Sequence, residues 1–142
     1  MKGVTNILLA IKPRWAERIY SGEKTVEVRV TVPLTYAKGA EREDLRILFY
    51  ESTPVKRITG TAYSRGYRSM MGPGADLSGT CLNMSEFEAY SKGRRVFGIE
   101  LEQVVRFDRP MEVSEAGVKA PMSFRTIPDD LADRLIAQGV SE

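Results

Sequence analysis

The hydrophobic period of this chain changes within a few residues of Gly22, and that change restricts its possible folds more than any other feature. Pro13 stands where a helix would start, Trp15 and Ile19 lie one turn apart, and Ala16 and Tyr20 repeat the spacing. Gly22 supplies a left-handed stop, so the spacing predicts a helix over 13–21. From Thr25 the period becomes two: Val26, Val28, Val30 and Val32 face one way, and Thr25, Glu27, Arg29 and Thr31 face the other. This pattern is that of a half-buried strand whose second face carries charges.

The remaining segments are mostly short and strand-like. Asn6 to Ile11 is an apolar run suited to a buried strand, and Pro33 to Asp44 is polar with Pro and Gly, which predicts a loop. Leu45–Tyr50 and Lys56–Ser64 read as strands because of their β-branched and aromatic content. Gly72-Pro73-Gly74 marks a break. Met84–Lys92 reads as a helix with a Ser85–Glu88 capping box and a stop at Gly93. Arg95–Phe107 is the longest strand candidate, with a bulge expected at Val104-Val105. Pro128–Ala137 closes the chain as an amphipathic helix capped by Gly139. Short strands with two or three helices argue for one α+β domain over residues 1–142, in the form of a small, partly closed β-barrel with helices at its ends.

Composition narrows the chemistry. The 142 residues include no histidine and one cysteine, Cys81. Histidine triads, histidine-containing zinc sites, cysteine-only zinc sites and disulfide frameworks are therefore excluded, and no metal or other cofactor is expected. Cys81 shows no feature that would lower its pKa, and a cytoplasmic setting is the expectation. The longest unbroken apolar stretch, Ile7–Ile11, is far too short to cross a membrane, and no signal-peptide layout precedes it. No oligomeric state follows from the sequence.

The net charge of +2 divides unevenly. Residues 129–142 sum to −3, leaving +5 on residues 1–128. Between Thr53 and Ala75 stand Lys56, Arg57, Arg65 and Arg68 with no acid, interleaved with Tyr63 and Tyr67. Cations that meet phosphates beside rings that stack on bases suit single-stranded nucleic acid, whereas a solvated strand face would explain the same residues.

A second constellation follows from Gly22. The chain reverses there, Lys24 emerges at the helix-to-strand junction, and Glu27 and Arg29 project from one strand face. In a partly dehydrated barrel mouth, Glu27 would orient the two cations and their remaining donors could take a phosphate or a base edge; at an open surface the same residues would be an ordinary ion pair. Tyr50 and Ser52 share a strand face, with Lys56 beyond Pro54. A lysine close to Tyr50 would lower the phenol pKa and make a proton-transfer pair. A core position for Tyr50 and a turn role for Ser52 are the alternatives. Trp15 reads as a core anchor, because Ile19 shares its helix face. Glu100 and Glu102 fit a solvated strand face, and Asp129 and Asp130 fit a helix dipole.

Lys12-Pro13, a short helix and then Gly22-x-Lys24-x-x-Glu27-x-Arg29 resemble the opening of ASCH domains. The resemblance continues through Tyr50-x-Ser52-x-Pro54-Val55-Lys56, Gly60, Tyr90-Ser91-x-Gly93, Pro110 and Pro121-x-Ser123-Phe124, in family order over nearly the whole chain. It implies a PUA-like fold, a β-barrel with flanking helices commonly associated with RNA. On this basis, together with the acid-free basic segment, Lys12, Lys24, Arg29, Tyr50, Ser52, Lys56, Tyr63, Arg65, Tyr67 and Arg68 are the candidate contacts to RNA or another single-stranded nucleic acid. The family also includes amidohydrolases acting on N4-acylated cytidine, and a ribonuclease role has been considered for it. An enzyme of either kind would draw on Lys24, Glu27, Tyr50 and Lys56. Here Glu27 replaces the threonine usual in the amidohydrolases, which removes that nucleophile. A third expectation, a protein-interaction module, would use the acidic terminal helix.

Overall fold

The computed structural model describes residues 3–140. Its strongest element is β1 (Val4–Ile11), whose Ile7, Leu8 and Leu9 are buried on alternating faces. It pairs in parallel with β3 (Asp44–Glu51) over a full register, from Val4 opposite Asp44 to Ile11 opposite Glu51. The crossover between them carries α1 (Pro13–Tyr20), β2 (Val26–Arg29) and α2 (Leu34–Ala37). The α2 turn lies in the segment expected to be loop. Its Tyr36 is buried in the core, an apolar anchor that the polar composition around it concealed.

After β3 follow β4 (Arg57–Ser64), β5 (Tyr67–Met70), α3 (Met84–Ser91), β6 (Val96–Glu100), β7 (Glu102–Met111), α4 (Val113–Ala116), β8 (Phe124–Ile127) and α5 (Asp129–Val140). The strands form a five-stranded sheet in the order β7-β4-β3-β1-β8 and a three-stranded sheet in the order β2-β6-β5. The fold is thus mixed α+β, and the expected partly closed barrel takes the form of two open sheets. The predicted long strand over 95–107 divides between them: β6 pairs with β2 and β5, and β7 pairs with β4. Leu101 makes the corner, its N–H donating to the Thr25 carbonyl at 2.9 Å. Gln103, two residues further on, takes a left-handed φ of 52°. The irregular pairing there, Thr61 opposite Val105 but Tyr63 opposite Glu102, is a bulge close to the expected place.

Three apolar clusters hold these layers. Ile7, Leu9, Ile47 and Phe49 pack under α1 and α2. Leu8, Leu48, Tyr50, Ile58 and Phe107 pack under α4 and α5 on the opposite side of the large sheet. Val28, Met70, Phe87 and Val96 join the small sheet to α3. The apolar face of α5 is therefore spent on its own domain, with Ala132 and Leu135 fully buried.

Two helix ends differ from expectation. The capping box of α3 is formed by Asn83 and Glu86, one position pair earlier than Ser85 and Glu88. Asn83 accepts from the Glu86 N–H at 2.8 Å and Glu86 accepts from the Asn83 N–H at 3.0 Å. Gly139 does not cap α5 but lies inside it, buried against Phe107. A Cβ there would stand 2.4 Å from the Phe107 ring. Gly139→Ala therefore opposes two effects, a helix-propensity gain of up to about 1 kcal/mol and an overpacking cost of about 1–3 kcal/mol. Because the ring is fixed in the core, net destabilisation is expected, read as a lower urea midpoint with an unchanged slope.

A cleft built on a buried Lys-Glu-Arg cluster

The residues that leave α1 and enter β2 turn inward. Lys12 is the N-cap of α1 and is held extended, at φ −70° and ψ 142°, by the proline that follows it. Gly22, at φ 86°, reverses the chain after the helix. Lys24 then donates its backbone N–H to the Arg18 carbonyl at 2.9 Å. The loop before α3 crosses the start of β2, where the Gly79 carbonyl accepts from Thr25 at 2.8 Å and from Val26 at 3.0 Å. This crossing pins the start of β2, while Glu27 and Arg29 further along it face the cleft. The strand is not half-exposed as its alternation suggested, and Glu27 is only 6% accessible.

Glu27 is held from both sides. Its Oε2 accepts from Arg29 Nε at 2.8 Å, and its Oε1 lies 3.7 Å from Lys24 Nζ. Lys24 Nζ also donates to the Thr80 carbonyl at 2.5 Å. Arg29 uses its terminal nitrogens on the Ala10 carbonyl and on Ser123 Oγ. Ser123 is brought there by β8, whose pairing with β1 is extended by the Ala10 N–H donating to the Ser123 carbonyl at 2.8 Å. Removal from water pushes the Lys24 amine below its ordinary value of 10.5, and Glu27 acts against that shift.

This cluster forms the floor of a cleft of about 540 Å³, a size typical of small-molecule and nucleotide sites. Trp15 forms a wall, with Lys24 Nζ 5.0 Å from its ring centre. Arg14 and Arg18 stand over the same ring at 4.6 and 5.3 Å. Tyr90, Leu82 and the fully exposed Met122 complete an apolar rim. Tyr90 is fixed by accepting the Val30 N–H at 3.1 Å.

Of the residues singled out from sequence, the cleft gathers Lys12, Lys24, Glu27, Arg29 and Ser52. Tyr50 instead points into the cluster under α4 and α5, and Lys56 is exposed in the turn between β3 and β4. Neither lines the cleft. The basic segment is acid-free only along the chain. Arg57 pairs with Glu112 at 3.1 Å, Arg65 with Glu102 at 3.0 Å, and Arg68 with Asp76 at 3.5 Å and Glu100 at 3.9 Å. Tyr63 donates to Asp44 at 2.7 Å, and burial and that carboxylate raise its pKa. Tyr67 packs edge-on against Phe97 and donates to the Ala37 carbonyl at 2.6 Å. Trp15, read from sequence as a core anchor in preference to a base-stacking platform, packs half-buried against the core and also presents its ring to the cleft. The arginines at positions 14 and 18, one before it and one turn after it, were the available signal. Tyr90 was marked only as part of the Tyr90-Ser91-x-Gly93 block of the resemblance, and Thr80 and Met122 carried no signal, because only the tertiary fold brings them near β2.

The cluster predicts its own failure. Glu27→Gln leaves two buried cations without a counter-charge, and a loss of about 3–5 kcal/mol is expected in urea unfolding. The pH dependence follows from Lys24. An amine with a pKa lower in the fold than in the unfolded chain binds fewer protons when folded, so stability rises with pH between the lowered value and 10.5. Below the lowered value the cost of the buried ammonium is fully present. The rise is expected in wild-type urea midpoints and absent in Lys24→Met.

No family model matches the chain, and no curated protein does either. Among solved structures, it is similar to the ASCH protein of Zymomonas mobilis. A serine-to-alanine mutant of that protein gives a TM-score of 0.75 at 21% identity, covering 94% of this chain and 95% of that one. The YTH domain of the Zygosaccharomyces rouxii MRB1 protein, solved in complex with N6-methyladenosine RNA, gives a TM-score of 0.54 at 12% identity, covering 98% and 86%. The N-terminal domain of McrB from Staphylothermus marinus gives 0.59 at 9% identity, covering 98% and 96%. With both chains matched almost end to end in the first of these, the fold of this chain is that of the ASCH domain proteins.

Proposed function

We propose that the chain is an RNA-binding domain of ASCH type, whose cleft takes a short single-stranded segment or one nucleotide turned out of its strand. The observation that carries this reading is the pairing of an aromatic wall, Trp15, with a buried cluster of net charge +1 at the cleft floor. The likeness of fold to a YTH domain solved with RNA supports the same class of partner. Lys24 spends one N–H on Thr80 and directs another toward Glu27, so its third is left for a ligand acceptor. Glu27, with lone pairs beyond those used by Lys24 and Arg29, accepts from a ring N–H or amino group. Trp15 supplies a stacking surface.

Stacking on an aromatic side chain is worth about 1–3 kcal/mol per base. Trp15→Ala is therefore expected to weaken binding of a short single-stranded RNA by about 5-fold to 150-fold, read by fluorescence anisotropy at low salt. Lys24→Ala, confirmed as folded by circular dichroism, is expected to weaken it as well. No affinity for RNA in the wild type, or affinity indifferent to both substitutions, overturns the reading.

One observation favours a second reading, hydrolysis of RNA or of N4-acylated cytidine: a lysine with a lowered pKa is better matched to proton transfer near neutrality. Tyr50 and Lys56, the other proton-transfer candidates, lie away from that lysine's cleft. Under the binding reading, N4-acetylcytidine and labelled RNA stay unchanged on incubation with the protein. Product from either one establishes turnover.

A further inference from the structure

The arginines of the central basic segment, Arg57, Arg65 and Arg68, are each matched to carboxylates, and its Lys56, like several other surface cations, is unmatched but stands away from the cleft. The cations on and beside α1 are unmatched and stand at the cleft itself, Lys12 and Arg14 in its lining and Arg18 over the Trp15 ring. Lys12, Arg14 and Arg18 are exposed, and among the described residues no carboxylate lies within 4.0 Å of any of them. The one acid on that helix, Glu17, pairs with Arg106 of β7. A phosphate approaching α1 thus meets cations whose charge is not already compensated.

From this asymmetry we propose that the phosphates of a bound single strand run along the exposed face of α1, held by Lys12, Arg14 and Arg18, while one base enters the cleft beside Trp15. The proposal rests on the RNA-binding reading and assigns its backbone contacts. Two features of the cleft support the division. Glu27 at the floor can accept from a ring N–H or amino group, which a base offers and a phosphate does not, so the base belongs inside the cleft. The guanidinium groups of Arg14 and Arg18 stand over the Trp15 ring, where a base would stack. A base entering displaces an arginine from the ring, and with no carboxylate to leave, that arginine swings to the adjacent phosphate. Base insertion and phosphate contact are coupled in this way.

The test is the salt dependence of affinity. For single strands, the slope of log K against log salt changes by about 0.7 for each phosphate contact. Replacing Lys12, Arg14 and Arg18 together by glutamine is expected to make the slope for a short single-stranded RNA about 2 shallower. The charge-conserving Lys12→Arg, Arg14→Lys, Arg18→Lys variant keeps it. Arg65→Gln with Arg68→Gln carries the competing assignment. A slope that falls in that variant and holds in the α1 variant overturns the proposal while leaving RNA binding intact. A wild type without RNA affinity overturns both. Single glutamine variants, each expected to lose about a third of the effect, provide the same reading if the triple variant fails to fold.

Discussion

The site depends on one buried carboxylate. Glu27 holds Lys24 by one oxygen and Arg29 by the other, and each cation in turn ties down a distant part of the chain. Lys24 fixes the loop before α3 through Thr80, and Arg29 fixes the joined ends of β1 and β8 through Ala10 and Ser123. A cluster like this contributes little net stability against an apolar replacement, because desolvation offsets the Coulomb attraction. Its value lies in position: charges held rigidly in a partly dry cleft act on a ligand without first reorganising.

The large sheet keeps the cleft and the second core apart. Alternation along β1 and β3 sends Ile7, Leu9, Ile47 and Phe49 toward α1, and Leu8, Leu48 and Tyr50 toward α4 and α5. Tyr50 and Phe49 are therefore neighbours in sequence with different surroundings. Small residues make the close approaches on which this layering relies. At Gly60 a Cβ would stand 2.5 Å from both the Tyr20 hydroxyl and the Val105 carbonyl, and it is there that β4 passes beneath α1. Tyr20 consequently settles over the sheet, hydrogen-bonded to Thr59 at 2.7 Å, with burial raising its pKa.

Much of the fold was legible locally. The helix from Pro13 and the reversal at Gly22 each follow from a few adjacent residues, and the structure keeps them, whereas the alternation read from Thr25 to Val32 is strand only over Val26–Arg29 and buries Glu27 as well. What was missed had long-range causes. The corner at Leu101 splits one apolar alternation between two sheets, and a single sequence period carries no sign of which sheet it serves. The α2 turn, in a segment read as loop, and β5, in one given no reading, are held by tertiary packing of Tyr36, Tyr67 and Met70. The charge pattern misled for a related reason. Distance along the chain made residues 53–75 look uncompensated, whereas Glu102, Glu112 and Glu100 reach them across the fold.

By itself the sequence determined the elements that short spacing controls, the exclusion of histidine and disulfide chemistry, and the common strand face of Glu27 and Arg29. Tertiary structure alone decided that Glu27 and Arg29 turn inward, since the groups that hold Arg29 and Lys24 around Glu27 come from β1, from the end of β8 and from the loop before α3. It also decided that Trp15 borders a cleft and that Tyr50 does not. Strand alternation says which residues share a face but not what covers it, and what covers a face sets the charge, dryness and reach of the groups upon it.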